Sequence, residues 1–181
     1  MSPKLSIVVF ALAGLMGCAS DRAPDVTGKV RDGLRQAGLN DVTVSQDRDK
    51  GVVTLGGNVA QDADKTRAEQ IAKPLADGQV LADQIAVLPN GNASAAKAVD
   101  SDLDKGIEAN LDAALTQSNI KGVSHSTKNG VVTLTGNLNT PALRASAEKV
   151  AAGVPNVQQV VNEINVKNQR ATTSGSADRS K

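Results

Sequence analysis

Gly51-Val52-Val53-Thr54-Leu55-Gly56-Gly57-Asn58-Val59 returns 79 residues later as Gly130-Val131-Val132-Thr133-Leu134-Thr135-Gly136-Asn137-Leu138. The same offset carries Val44 onto Val123, Ala68-Glu69 onto Ala147-Glu148, Ile71 onto Val150, Ile85 onto Ile164 and Val87 onto Val166. Ahead of this stretch the offset is 77, which lays Val26, Val30 and Leu34 over Leu103, Ile107 and Leu111. Equivalent positions kept in order along the chain mean one unit written twice.

Each unit reads as helix, strand, strand, helix, strand. Leu103, Ile107, Leu111 and Leu115, like Val26, Val30, Leu34 and Ala37, recur at helical spacing and place one apolar stripe on a first helix. Gly38 supplies its stop in the first copy. Lys128-Asn129-Gly130 and Asp49-Lys50-Gly51 precede β-branched runs and predict hairpin turns, since Asn-Gly accepts the positive φ such turns need. Thr140-Pro141 offers a capping hydroxyl before a proline suited to a first helical turn, and Leu143, Ala147, Val150 and Val154 mark the buried face expected for that second helix. Leu81, Ile85 and Val87, with Val160, Ile164 and Val166, predict the closing strands. A strand, a helix and a further strand make a right-handed crossover. The expected fold is therefore α+β: two tandem α-β-β-α-β units, each a small three-stranded mixed sheet with two helices on one face. Units of this size are marginal alone, so the copies are expected to share an interface. The first copy looks the weaker, with Gly33 inside its first helix, Asp64 where the second has Leu143, and Pro74 near the end of its second helix.

The chain has 181 residues with a single Cys, a single His, a single Phe and neither Trp nor Tyr. At 40% hydrophobic and 22% charged residues it is too apolar to be wholly disordered. Its 20 basic residues are balanced by 19 acidic ones, which argues against nucleic-acid binding, because phosphate-backbone affinity needs a surplus of Lys and Arg.

Met1 to Lys4 carries one positive charge, an apolar run covers Leu5 to Leu15, and Leu15-Met16-Gly17-Cys18 follows. That order reads as a signal peptide, and the apolar run is shorter than the ~20 residues a membrane-spanning helix needs. The tetrapeptide resembles a bacterial lipobox with Met16 in a place usually held by Ala, Ser or Thr, and it makes Cys18 the lipidation site. The competing readings are a plain secretory signal with an incidental Cys18, and a cytosolic N-terminus. Cleavage before Cys18 would remove Lys4, Phe10 and both Met, leaving a core of Val, Leu, Ile and Ala and a net charge near zero. Acyl chains of the palmitate kind gain about 0.8 kcal/mol per buried CH₂ and would hold the chain on a membrane.

The organisation expected is a lipoprotein signal peptide at 1–17, a tether at 18–24, a first domain at 25–88, a linker at 89–99, a second domain at 100–167 and a disordered tail at 168–181. The Ala-rich end of the linker suits an extension of the following helix.

Chemistry-bearing patterns are few. His125 has no second His or free thiol to form a metal site or an activated nucleophile, no Gly-x-Ser-x-Gly occurs, and it reads as an exposed strand or loop histidine. Asp100-Ser101-Asp102-Leu103-Asp104 imitates a calcium loop but places its glycine at Gly106 and an apolar Leu111 where a bidentate Glu belongs. It is read instead as an acidic helix start capped by Asp100 or Ser101. Gly28-Lys29 lacks the flanking residues of a phosphate loop, and Asn92-Ala93-Ser94, a formal glycosylation acceptor, is read as linker. Gly57 and Gly136 are read as structural, since glycine inside a strand marks a bulge or a close backbone approach. No catalytic residue, cofactor or metal is expected.

The Gly-Val-Val-Thr-Leu-x-Gly hairpin, the Ala-Glu-x-Ile/Val-Ala helix and the second copy's Gly153-Val154-Pro155-Asn156-Val157 turn, running on to Val160, Asn162, Ile164 and Val166, resemble the BON domain. The first copy departs at Pro74-Leu75-Ala76-Asp77-Gly78, where an irregular helix exit is expected. A lipobox before two such domains is similar to dual-domain outer-membrane lipoproteins and osmotically inducible periplasmic proteins. The resemblance implies a non-enzymatic, lipid-anchored, periplasm-facing outer-membrane protein that binds membrane phospholipid and supports envelope integrity or the osmotic stress response. The alternative is a protein–protein interaction adaptor for other envelope proteins.

Overall fold

Two apolar cores and one thinner seam organise the chain, and the computed structural model describes residues 22–89, 92–166 and 172–175. The first copy runs α1 (Thr27–Gln36), β1 (Val42–Asp47), β2 (Val52–Val59), α2 (Asp62–Leu75), β3 (Val80–Asp83) and β4 (Ala86–Val87). The second runs α3 (Ala93–Gln117), β5 (Val123–Lys128), β6 (Val131–Gly136), α4 (Pro141–Ala152), β7 (Gln159–Asn162) and β8 (Thr172–Gly175). The expected α+β pair of mixed sheets is what forms. β1 pairs antiparallel with β2 and β5 with β6, while the crossovers bring β3 parallel to β2 and β7 parallel to β6.

The hairpin glycines do what a strand glycine does when another backbone passes close. A Cβ on Gly57 would lie 2.1 Å from the carbonyl oxygen of Asp41, and one on Gly136 would lie 2.2 Å from that of Gly122. Both take positive φ, +87° and +131°, and at Gly57 and Gly136 the hairpins end against the loops that enter β1 and β5.

The closing strand departs from a straight run in both copies. Asp83 Oδ1 accepts from the Ile85 N–H and Asn162 Oδ1 from that of Ile164, each at 3.2 Å, so the chain kinks after residues 83 and 162. The kink turns Ile85 and Ile164 fully inward and shifts the continuing segment onto β2 as β4 (Asn58↔Ala86) and onto an isolated Asn137↔Asn165 bridge.

In the first copy Val30, Leu34, Val53, Leu55, Ala68, Ala72 and Ile85 fill the space between helices and sheet, and in the second Ile107, Leu111, Val132, Leu134, Ala147, Ala151 and Ile164 do so. The stripes read from sequence hold only in part. Leu103 and Leu143 are 45% and 40% exposed: Leu103 lies one turn ahead of Ile107, where the buried stripe of α3 begins, and the inward place beside Leu143 goes to Arg144. The acidic segment expected to start a helix instead lies inside α3, whose first residue is Ala93. The exits of the second helices share one turn and differ in length: Asp77 takes the same left-handed conformation (φ 52°) that Asn156 takes in the second copy (φ 67°), but α2 runs through Pro74 to Leu75 where the image of α4 would end at Lys73. Gly33 is a contact rather than a flaw, since a Cβ there would meet Leu75 Cδ1 and Ile71 Cγ2 of α2 at 3.0 and 3.1 Å.

The sheet faces that the helices leave bare meet each other. Val52 and Ala82 of the first copy pack on Val131 and Val161 of the second, and each pair is the 79-residue image of the other. The seam is thus a near two-fold contact between two copies of one surface. Strand β8 falls within the stretch read from sequence as a disordered tail, pairing antiparallel with β7 in the register Val160↔Ser174. Cys18, the signal peptide and most of the tether lie outside the described residues.

Candidate functional site

The same polar node is built into both copies and finished differently. In the second, α4 carries Arg144 inward, 3% exposed, and its guanidinium donates to the Asn162 carbonyl at 2.8 Å. Asn162, fully buried, returns its amide to the Arg144 carbonyl and to Glu148 Oε2, both at 3.0 Å. Burial lowers the Arg144 pKa and Glu148 opposes that fall. A buried charge held between a backbone carbonyl and a neighbouring carboxylate is expensive to disturb.

In the first copy the equivalent positions hold Lys65, Glu69 and Asp83, which open onto a cleft of about 780 Å³ between the copies. Burial raises the Asp83 pKa, Lys65 draws it back down and Glu69 pushes it up. The far wall of the cleft includes Leu103 and Asp104 of α3 and Asn129 in the second hairpin turn. The character of the cleft is acidic, but its carboxylates are dispersed: among the described residues no group of three His, Cys, Asp or Glu side chains is placed to hold a metal ion.

The calcium-like segment is helical, and Asp104 is spent on the hairpin turn. Its two oxygens accept from the backbone N–H groups of Asn129 and Gly130, each at 2.9 Å. Glu108 Oε1 accepts from Thr127 N–H at 2.9 Å, and Asp112 Oδ1 lies 2.8 Å from His125 Nε2. Three acids spaced four apart on α3 therefore tie down the edge strand β5 and the turn that follows it. His125 is not the exposed residue the sequence suggested. Its side chain is 11% exposed between α3 and β5, and its Nδ1 is buried without a hydrogen-bond partner among the described residues. β5 alternates, and the face that takes His125 and Thr127 is the helix side, where polar side chains were not expected. The legible signal was the i, i+4, i+8 run Asp104, Glu108, Asp112 on the neighbouring helix.

Thr140 caps α4 as its sequence predicts, accepting from Leu143 N–H at 3.2 Å. The large hydrophobic side chains exposed among the described residues are Val99, Leu103 and Leu143, and the first two lie one turn apart on α3. No helix of the described residues is long and apolar enough to cross a membrane.

Lys50 and Asn129, equivalent in the repeat, clasp the seam from opposite ends. Lys50 Nζ reaches the Glu163 carbonyl at 3.4 Å and the Asn165 side chain, while Asn129 Nδ2 donates to the Gln84 carbonyl at 2.7 Å. Burial raises the Glu163 pKa, as does the nearby Asp47, and Lys50 opposes both.

Against known families, the BON domain model matches residues 23–89 and 100–168. Compared with curated proteins, the chain matches none. Among solved structures it is similar to the C-terminal domain of CdsD, the structural protein of the type III secretion system of Chlamydia trachomatis, at 15% identity and a TM-score of 0.32, covering 78% of this chain and 96% of that one. A second structure of CdsD gives 15% identity and a TM-score of 0.35 over 79% and 92% of the two chains.

Proposed function

This chain belongs to the BON domain family, and we propose from that premise that it is a non-enzymatic, lipid-anchored envelope protein that binds membrane phospholipid at the periplasmic face of the outer membrane. In this reading it supports outer-membrane integrity or the osmotic stress response. BON domains are associated with envelope and phospholipid-binding proteins, and the family is generally non-enzymatic.

The observation that carries the lipid reading is the unpartnered apolar pair on α3, Val99 at 58% and Leu103 at 45% exposure. Fully burying one such side chain is worth about 1.5–3 kcal/mol, and these are already half covered, so both together supply roughly 2 kcal/mol. That is too weak to recruit a free protein and sufficient to orient an anchored one. Acylation at Cys18 would leave three residues between it and Arg22, a reach of about 14 Å, which keeps the folded part at the bilayer surface.

The test separates anchor from contact. Cys18→Ser should yield a soluble periplasmic species or an unprocessed precursor. That variant, purified from residue 18 onward, should sediment with phosphatidylglycerol/phosphatidylethanolamine vesicles, and Val99→Asp/Leu103→Asp should abolish the sedimentation while leaving the circular dichroism unchanged. Normal processing and membrane retention of Cys18→Ser would overturn the anchor. Failure of the soluble chain to bind vesicles of any composition would overturn the lipid reading in favour of a protein adaptor.

A further inference from the structure

Sheet edges are templates for further strands, and this molecule covers most of its own with side chains and a loop segment of its folded units. The β1 edge is held by the segment entering α1: Ala23 N–H donates to the Arg48 carbonyl and Arg48 Nε to that of Ala23, both at 2.8 Å, and an Arg31 amine reaches the Val44 carbonyl. The β5 edge is held by Glu108 on Thr127 N–H. The β3 edge is closed by a side chain from the other copy. Gln159 Nε2 donates to the Leu81 carbonyl at 2.6 Å and Gln159 Oε1 accepts from Asp83 N–H at 3.1 Å, so one carboxamide imitates a piece of strand. Its counterpart by the repeat is Val80, which has no amide to return the favour to β7.

The β7 edge is closed in another way, by β8, a separate strand rather than a side chain. Thr172-Thr173-Ser174-Gly175 has no Val, Leu or Ile to bury. Ordering its backbone costs roughly 1–2 kcal/mol per residue, and each ladder hydrogen bond returns about 1. By this arithmetic the pairing is at best balanced. Five residues, 167–171, separate β8 from Val166, a separation that allows at most about 20 Å between Val166 and Thr172.

We propose that the β7 edge is a strand-acceptor site at which β8 is an exchangeable guest, and that the incoming strand is β8 of a second copy of this chain. The second copy is the fitting occupant because its strand already has the complementary register, Gln159↔Gly175 to Asn162↔Thr172, and exchange of an identical element makes a dimer without any new contact surface. A molecule's own tail competes at an effective concentration of about a millimolar, so exchange becomes appreciable when neighbours are crowded to that level.

The soluble Cys18→Ser chain, concentrated to about 1 mM and warmed to allow exchange, should show a dimer by sedimentation velocity that dissociates slowly on dilution. Deleting residues 168–181 should lower the dimer fraction at least about tenfold, and so should Thr173→Pro/Ser174→Pro, which removes ladder donors while keeping the tail. In both variants the monomer's unfolding midpoint should stay within a few degrees of the parent. Absence of dimer in the parent, or dimer that survives both tail variants, overturns the proposal.

Discussion

The side-chain amide of Gln159 donates to the backbone carbonyl of Leu81, 78 residues away and in the other copy, at 2.6 Å. With Gln159 Oε1 on Asp83 N–H it closes the β3 edge and pins the seam at its centre, beside Val52, Ala82, Val131 and Val161. Gln159→Leu should leave a part-buried carbonyl and an N–H unpaired, at a cost of about 1–3 kcal/mol. For a chain of this size that corresponds to a fall in Tm of roughly 3–10 °C. Thermal unfolding should also broaden or split as the copies uncouple. An unchanged, single sharp transition would mean the seam stands on its apolar contacts alone.

Glycines at superficially similar positions should respond in opposite directions. Gly57→Ala and Gly136→Ala drive a Cβ to within 2.1 and 2.2 Å of a carbonyl oxygen at positive φ, so each should cost about 3 kcal/mol or more. Gly28 in α1 and Gly106 in α3 have open space where a Cβ would stand, and Gly28→Ala and Gly106→Ala should each stabilise by about 0.5–1 kcal/mol. Urea midpoints of the four single variants measure the contrast.

Asp83 and Glu163 both have folded-state pKa values raised by burial, Asp83 against the pull of Lys65 and Glu163 against that of Lys50. A raised carboxylate pKa means the folded state binds the proton more tightly than the unfolded one. Stability from these two groups therefore rises as pH falls through the raised values toward the ordinary carboxylate range near 4, and their burden is full at neutral pH. Asp83→Asn/Glu163→Gln should be more stable than the parent at pH 7, and the difference should shrink by pH 4. Asn suits position 83, since Asn162 makes the same turn with its Oδ1 on Ile164 N–H. A stability gap that is constant across this range would assign the effect to something other than titration.

The duplicated unit was legible because hydrophobic period and turn chemistry are local. The Val-Val-Thr-Leu runs, Asn129-Gly130 at positive φ and the Thr140 cap need only neighbours in sequence to act, and the α+β architecture follows from them. What escaped were interactions between segments far apart in the chain. Nothing next to Arg144 in the sequence marks it for burial, and only the Asn162 carbonyl and Glu148 show why its guanidinium can be buried. His125 reads as exposed until Asp112 is brought against it by α3. Gly33 reads only as a weak helix position until α2 is packed against α1, where a Cβ on residue 33 would meet Leu75 and Ile71, while Pro74 stands near the end of α2 as its sequence places it.

By itself the sequence determined two repeats of one unit, their order of helices and strands, and which side chains are apolar enough to form cores, since these depend on backbone preference and spacing. The tertiary structure alone decided that the bare sheet faces meet across a near two-fold seam, that Gln159 closes one edge while β8 closes the other, and that the Lys65–Glu69–Asp83 node stays open where Arg144–Glu148–Asn162 is sealed. Repeated sequence makes two similar surfaces, but packing them on each other leaves different neighbours around each, and the partners of a buried polar group are set by those neighbours.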